Sequence, residues 1–200
     1  MNNTIEFYFD FSSPYGYIAS TQIDALANRF DHTVIWRPFL VGASFKLTGR
    51  KPLLEVPLVR EYMAHDIERF ARLLEIPFTL PDRFPIAAIT ASRGFYWLEE
   101  QDAELARSFA KRVYHAYFAK NQDITNKEGL ADLASSLRVD RDQWIAAVQS
   151  QSIKDRFREE NDRALGRGIF GSPFIIIDDQ AFWGADRLPQ VEQWLSRGGW

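Results

Sequence analysis

Strand-like patterning stands at both ends of this chain, and helical patterning fills the middle. From residue 4 to 11 aromatic and β-branched positions run almost without a break, the pattern of a strand. Ser12-Ser13-Pro14 interrupts it, and residues 14–30 read as a helix. Residues 33–37 return to a strand, which completes a β-α-β unit expected to be parallel and right-handed. Pro38 and Gly42 end that unit. Residues 58–74 then place Leu58, Tyr62, Ile67, Phe70, Leu73 and Leu74 at near-helical spacing. Pro77, Pro81 and Pro85 punctuate a loop, and further helices are predicted over 86–98 and 102–119. Thr125 is the predicted N-cap of the next, with Glu128 at the capping-box position. Asp140 and Asp142 offer caps for 144–149, and a helix over 153–165 stops at Gly166 and Gly168. Beyond Gly171-Ser172-Pro173, the compact apolar run 174–177 marks a buried strand. Asp178-Asp179 reads as a turn, 181–183 as a second short strand, and 188–195 as a last helix.

If the two ends come together, a β-α-β start and a β-β-α finish make one mixed four-stranded sheet. The expected class is α/β: a thioredoxin-like fold, over residues 1–40 and 167–200, interrupted by a helical insertion over 41–166. No internal repeat or low-complexity stretch is visible.

Composition narrows the function. With 200 residues, 46% of them hydrophobic, the chain can bury a full core. A net charge of −3, with basic and acidic residues interleaved as in Arg156-Phe157-Arg158-Glu159-Glu160, gives no general attraction to nucleic acid or to an anionic membrane. No N-terminal segment looks like a signal peptide, and no apolar run approaches the ~20 residues of a membrane span. His32, His65 and His115 are far apart and show no metal-ligand spacing. Gly166-Arg167-Gly168 is a helix stop without the context of a dinucleotide loop. Cysteine is absent, which excludes a disulfide framework and any protein thiolate. These features suit a cytoplasmic enzyme.

The absence of cysteine matters most at residue 12. A strand that hands over to a helix N-terminus brings free N–H groups to an anion, and thiol-disulfide oxidoreductases put a low-pKa Cys there. This chain has Ser12, so a sulfur handled at this place has to come from a ligand. On sequence alone, a plain helix cap is the favoured reading of Ser12 or Ser13, and Asp186 suits an N-cap of the last helix.

Four stretches add a resemblance: Phe9-Asp10-Phe11-Ser12-Ser13-Pro14-Tyr15; Arg37-Pro38-Phe39-Leu40-Val41-Gly42 with Phe45-Lys46 and Thr48-Gly49; Gly168-Ile169-Phe170-Gly171-Ser172-Pro173; and Phe182-Trp183-Gly184-Ala185-Asp186-Arg187-Leu188. In these the chain resembles the 2-hydroxychromene-2-carboxylate isomerase family and its relatives, the kappa-class glutathione transferases, in the disulfide-oxidoreductase branch of the thioredoxin superfamily. The resemblance implies glutathione as cofactor, a small-molecule substrate, and a homodimer. It implies that Ser12 donates a hydrogen bond to the glutathione thiolate, and that a cis Ser172-Pro173 bond lets the main chain of Ser172 hold the cysteinyl part. It implies that Asp186, beside Arg187, binds the γ-glutamyl ammonium, and that Lys46 lies near the cleft. Tyr15 and Trp183 fall close to it. Three positions depart from the family: Ser172 replaces an apolar residue, Arg50 replaces an Asn and is expected as an anion contact, and Ile86-Ala87-Ala88 stands where Asn commonly follows Phe84-Pro85. The implied activity is glutathione-dependent isomerisation of 2-hydroxychromene-2-carboxylate or a related aromatic-degradation intermediate. A kappa-class-like transferase and a non-catalytic thioredoxin-like binding module are the alternatives.

Overall fold

A computed structural model of the chain describes residues 3–200; the first two positions of the segment read as 1–40 lie outside it. Among the described residues, strands β1 (Thr4–Phe9), β2 (Thr33–Pro38), β3 (Phe174–Ile177) and β4 (Gln180–Trp183) form one sheet in the order β2-β1-β3-β4. β2 runs parallel to β1, while β3 and β4 are antiparallel to their neighbours. This is the mixed sheet expected from the sequence, and its register sets Phe7 opposite both Trp36 and Ile175. Asp178 and Asp179, both at positive φ, make the β3–β4 turn.

The helices are α1 (Pro14–Ser20), α2 (Ile23–Asn28), α3 (Val41–Thr48), α4 (Val59–Leu73), α5 (Ile89–Glu99), α6 (Ala103–Phe118), α7 (Lys127–Ser135), α8 (Arg141–Gln149), α9 (Gln151–Gly166) and α10 (Leu188–Arg197). α3 to α9 fall between β2 and β3. None of the described helices is long and apolar enough to cross a membrane.

Three expectations change. The helix read over 14–30 is two short ones: Ser20 Oγ and Thr21 Oγ1 bond back to the carbonyls of Tyr17 and Ile18 at 2.6 and 2.7 Å, an alternative to the helical ladder that ends α1. α3 forms although Pro38 and Gly42 read as breakers, because Pro38 closes β2 and Gly42 falls in the first turn of the helix. The cap of α7 is Asn126, not Thr125. Its side chain accepts from Glu128 N at 2.9 Å, while Thr125 Oγ1 bonds Asp123, and the Glu128 carboxylate goes to Arg141 at 2.6 Å instead of closing a capping box.

The core forms where α5 and α6 pack on the central strand. Ala106, Phe109, Ala110, Val113, Tyr114, Tyr117 and Phe118 give α6 a wide buried face. Phe9 packs against Trp36, Phe95 and Tyr114 with ring centroids at 5.3, 5.8 and 5.7 Å, contacts worth roughly 0.5–1.5 kcal/mol each beyond area burial. Elsewhere on β1, Glu6 is clamped by two guanidinium groups. Arg167, just past α9, holds both carboxylate oxygens at 2.7 and 2.8 Å, and Arg37 of β2 adds a 2.8 Å bond. The end of the long helical stretch is thereby fastened to the sheet.

Candidate functional site

β1 ends at Phe9, and the next five residues carry a dense set of hydrogen bonds. Ser13 is the N-cap of α1: its Oγ accepts from Gly16 N at 3.0 Å and donates to Ser172 O at 2.8 Å. Ser12 caps nothing. Its Oγ donates to Asp10 Oδ1 at 2.9 Å, its N–H reaches the same oxygen at 2.8 Å, and it lines an open cleft. Of the two serines, Ser13 is thus the cap and Ser12 is not.

Asp10 is buried, and Val41 N donates to its second oxygen at 2.8 Å. Burial pushes its carboxyl up; the donors from Ser12 and Val41 pull the other way without cancelling the rise. Its main chain is held as well, by Ser172 Oγ accepting from Asp10 N and by Tyr114 OH donating to Asp10 O, both at 2.9 Å. Position 172 therefore uses its hydroxyl. Gly16 completes the packing, since a Cβ there would come within 2.6 Å of Tyr114 OH and 2.8 Å of Ser172 Oγ.

The cleft encloses about 930 Å³. Ser12, Tyr15 and Ser172 line it together with Phe45, Leu54, Met63, Ile67 and Phe70, from α3 to α4, and with Phe84 and Pro85. Tyr15 OH donates to Asp66 of α4 at 2.5 Å, and both burial and the Asp66 charge hold its phenol well above the ordinary range. At one end lie Trp183, Asp186 and Arg187. Arg50 sits over the rings of Phe170 and Trp183, at 5.3 and 5.5 Å from their centroids. Gly171 lets the Trp183 indole lie against bare backbone, where a Cβ would come 2.1 Å from Nε1.

The structure brings Ser12, Arg50, Ser172, Asp186 and Arg187 to this cleft. The Ser172-Pro173 bond is cis, as is Phe84-Pro85. Pro173 is buried behind Ser172, and its carbonyl accepts from Gly184 N at 3.1 Å. Asp186 caps no helix; it stands in a 3-10 turn over Ala185–Arg187, exposed and paired with Arg187 at 2.9 Å. Lys46 lies on the exposed side of the last turn of α3, outside the residues that line the cleft. The helix terminus is also weaker than expected. α1 has only 7 residues, Pro14 brings no N–H, and Ser13 takes that of Gly16, so less of the dipole and fewer free donors face the cleft. Among the described residues, no group of three or more His, Cys, Asp or Glu is placed to hold a metal.

Sequence reading missed Asp10, Tyr114 and Asp66. A signal for Asp10 was present: a carboxylate inside Phe7-Tyr8-Phe9-Asp10-Phe11 has to be buried with its strand, and therefore needs dedicated partners. Tyr114 and Asp66 looked like ordinary helix positions until the helices were placed.

Residues 4–196 match the family model described as DSBA-like thioredoxin domain. The chain is 30% identical to a 2-hydroxychromene-2-carboxylate isomerase of Sphingobium xenophagum, over 98% of this chain and 99% of that one. It is 29% identical to glutathione S-transferase kappa 2 of Caenorhabditis elegans, over 96% and 91%. A solved 2-hydroxychromene-2-carboxylate isomerase superposes with a TM-score of 0.87 at 25% identity, over 97% of this chain and 95% of that one. With its mixed sheet and its serine at the strand-to-helix junction, the chain belongs to the DSBA-like thioredoxin-domain family, grouped there with the 2-hydroxychromene-2-carboxylate isomerases.

Proposed function

We propose that this protein is a glutathione-dependent isomerase acting on 2-hydroxychromene-2-carboxylate or a related aromatic-degradation intermediate. The observation that carries the reading is Ser12, a hydroxyl at the cysteine position of this fold, released from helix capping by Ser13 and open to a cleft whose polar groups match glutathione in kind. Glutathione has an ammonium, two carboxylates and a thiol. The cleft offers Asp186 for the first, Arg187 and Arg50 for the second, and Ser12 for the third. Ser172 adds its main chain, whose N–H makes no bond among the described residues, beside buried Pro173. Asp186 and Arg187 now pair with each other in solvent, a bond worth at most about 1 kcal/mol and readily exchanged for ligand charges. Lys46 has no part in the reading, because it lies off the cleft.

When bound, glutathione supplies a thiolate that adds reversibly to an unsaturated carbon and leaves after the adjacent bond has turned. Ser12 stabilises that sulfur by hydrogen bonding, a charge-assisted contact. Phe45, Leu54, Met63, Ile67 and Phe70 bury the flat apolar body of a substrate and exclude water. Arg50, placed over the rings of Phe170 and Trp183, presents its fork of N–H groups to a carboxylate. The reading extends to a homodimer, as the family resemblance implies, and to the cytoplasm, which the sequence features suit.

Calorimetry with reduced glutathione, followed by turnover of 2-hydroxychromene-2-carboxylate, tests this. The expected outcome is saturable binding and isomerisation that needs glutathione without consuming it. No heat and no thermal shift at millimolar glutathione would reject the reading. Loss of free thiol in step with turnover would point to the kappa-class transferase relatives instead.

A further inference from the structure

Ser12 has one hydroxyl proton, and Asp10 already holds it. Asp10 Oδ1 accepts from both Ser12 N and Ser12 Oγ, and Oδ2 accepts from Val41 N. All three contacts fit a carboxylate. In that state Ser12 turns lone pairs, not a proton, towards the cleft. It then accepts a hydrogen bond from a thiol and cannot give one to a thiolate.

Protonation of Asp10 reverses this. A neutral Asp10 has an O–H that needs an acceptor. Two of its three partners are main-chain N–H groups, which cannot accept; Ser12 Oγ can. A proton on Asp10 therefore goes to Oδ1 and points at Ser12 Oγ, and the serine proton swings into the cleft. The charge state of Asp10 sets the direction of the Ser12 hydroxyl.

We propose that Asp10 and Ser12 form a proton relay in which Asp10 is the store for the proton of a thiol bound in the cleft. The relay rests on the glutathione reading above. Ser12 Oγ takes the thiol proton as its own proton passes to Asp10 Oδ1. One S–H and one O–H bond break, two O–H bonds form, and the negative charge moves from the carboxylate to the sulfur. Ser12 ends with a hydroxyl that donates to the thiolate it has made. The reverse transfer returns the thiol when the adduct has broken down. Acting through Ser12, Asp10 is a positioning residue.

The surroundings favour the transfer. Asp10 is buried, and no Lys, Arg or His lies among the groups that perturb it. Tyr114 and Tyr117 of α6 feel its charge, and both are held neutral, their phenols pushed up mainly by burial. Burial likewise holds the Asp10 carboxyl above its ordinary value. A buried carboxylate without a counter-ion is a costly place for charge, and a sulfur in an open cleft is a cheaper one.

The test is a proton count. Reduced glutathione and S-methylglutathione, which has no thiol proton, are titrated into wild type by calorimetry in buffers of different ionisation enthalpy at neutral pH. Ultraviolet absorbance reports the bound thiolate. The relay predicts thiolate formation in wild type with almost no difference in protons released between the two ligands. In Ser12→Ala, any thiolate that forms should release about one proton to the buffer. Asp10→Asn should behave like Ser12→Ala; because its amide also turns an N–H towards Val41 N, the wild-type count decides if this variant does not fold. About one proton released per thiolate in wild type would overturn the relay while leaving glutathione binding intact. Binding without any thiolate would overturn it too. No binding of reduced glutathione would overturn the functional reading and the relay with it.

Discussion

Glu6 and Asp10 leave the same stretch of chain, Glu6 from within β1 and Asp10 from just past its end. Glu6 meets two guanidinium groups, from Arg37 and Arg167. Burial raises its pKa, but the two arginines outweigh burial and hold the carboxyl below the ordinary range. Asp10 meets only neutral donors, burial wins, and its carboxyl is held up. Compensated charge fastens a helix end to a strand and stays ionised. Uncompensated charge is kept in place by hydrogen bonds alone, and burial holds its carboxyl up. The first arrangement serves the fold and the second serves the site.

The largest effect should come from removing Asp10 altogether. Asp10→Ala leaves the N–H groups of Ser12 and Val41 without their acceptor, at ~1–3 kcal/mol each. Urea unfolding should show a loss of roughly 2–5 kcal/mol. A loss below about 1 kcal/mol would mean that water replaces the carboxylate and that the contrast with Glu6 is one of charge only.

Glu6→Gln should cost less, about 1–2 kcal/mol at neutral pH, because the group is partly solvated and keeps a hydrogen-bonding oxygen. Here pH separates the two sites. The folded pKa of Glu6 lies below its unfolded value near 4.5, so its stabilisation is complete above that value and is lost as pH falls through the folded pKa. Asp10 runs the other way. Its raised folded pKa contributes stability below the unfolded value near 3.8, and this is lost as pH rises through the folded pKa. The stability gap between wild type and Glu6→Gln should close in acid, whereas the gap between wild type and Asp10→Asn should widen there. Parallel profiles would erase the comparison.

A third carboxylate sharpens it with the smallest effect on stability. Asp186 is exposed, caps no helix and, among the described residues, pairs only with Arg187. Asp186→Asn should leave unfolding within about 0.5 kcal/mol of wild type. Affinity for glutathione should fall by 1–3 kcal/mol, roughly 5- to 150-fold, when measured by calorimetry. A melting change with unaltered affinity would assign Asp186 to the fold.

The strands were legible because each is a short run of aromatic and β-branched residues bounded by turn residues, and β1 to β4 fall within two residues of their expected limits. Helix limits were harder wherever side chains compete with the backbone: Ser20 and Thr21 split the first helix, and Asn126 displaced Thr125 as a cap. At the site, Ser12, Ser172, Asp186 and Arg187 could be placed because motifs near both chain ends carry them. Asp10 was passed over because its role depends on partners far away in sequence, Ser172 and Tyr114, with Val41 nearer. Tyr15 was seen as a cleft residue, but its partner Asp66 lies on a helix whose spacing shows only which face is apolar.

The missing side chain of Gly171 governs what fits beside these groups. The Trp183 indole rests where a Cβ would be, so one added methyl would force the ring away from position 171 and disturb its contact with Arg50. The breadth of this end of the cleft is thus written in a vacancy of a single carbon. On the proposed reading, enlarging position 171 would limit what the cleft admits by girth rather than by charge.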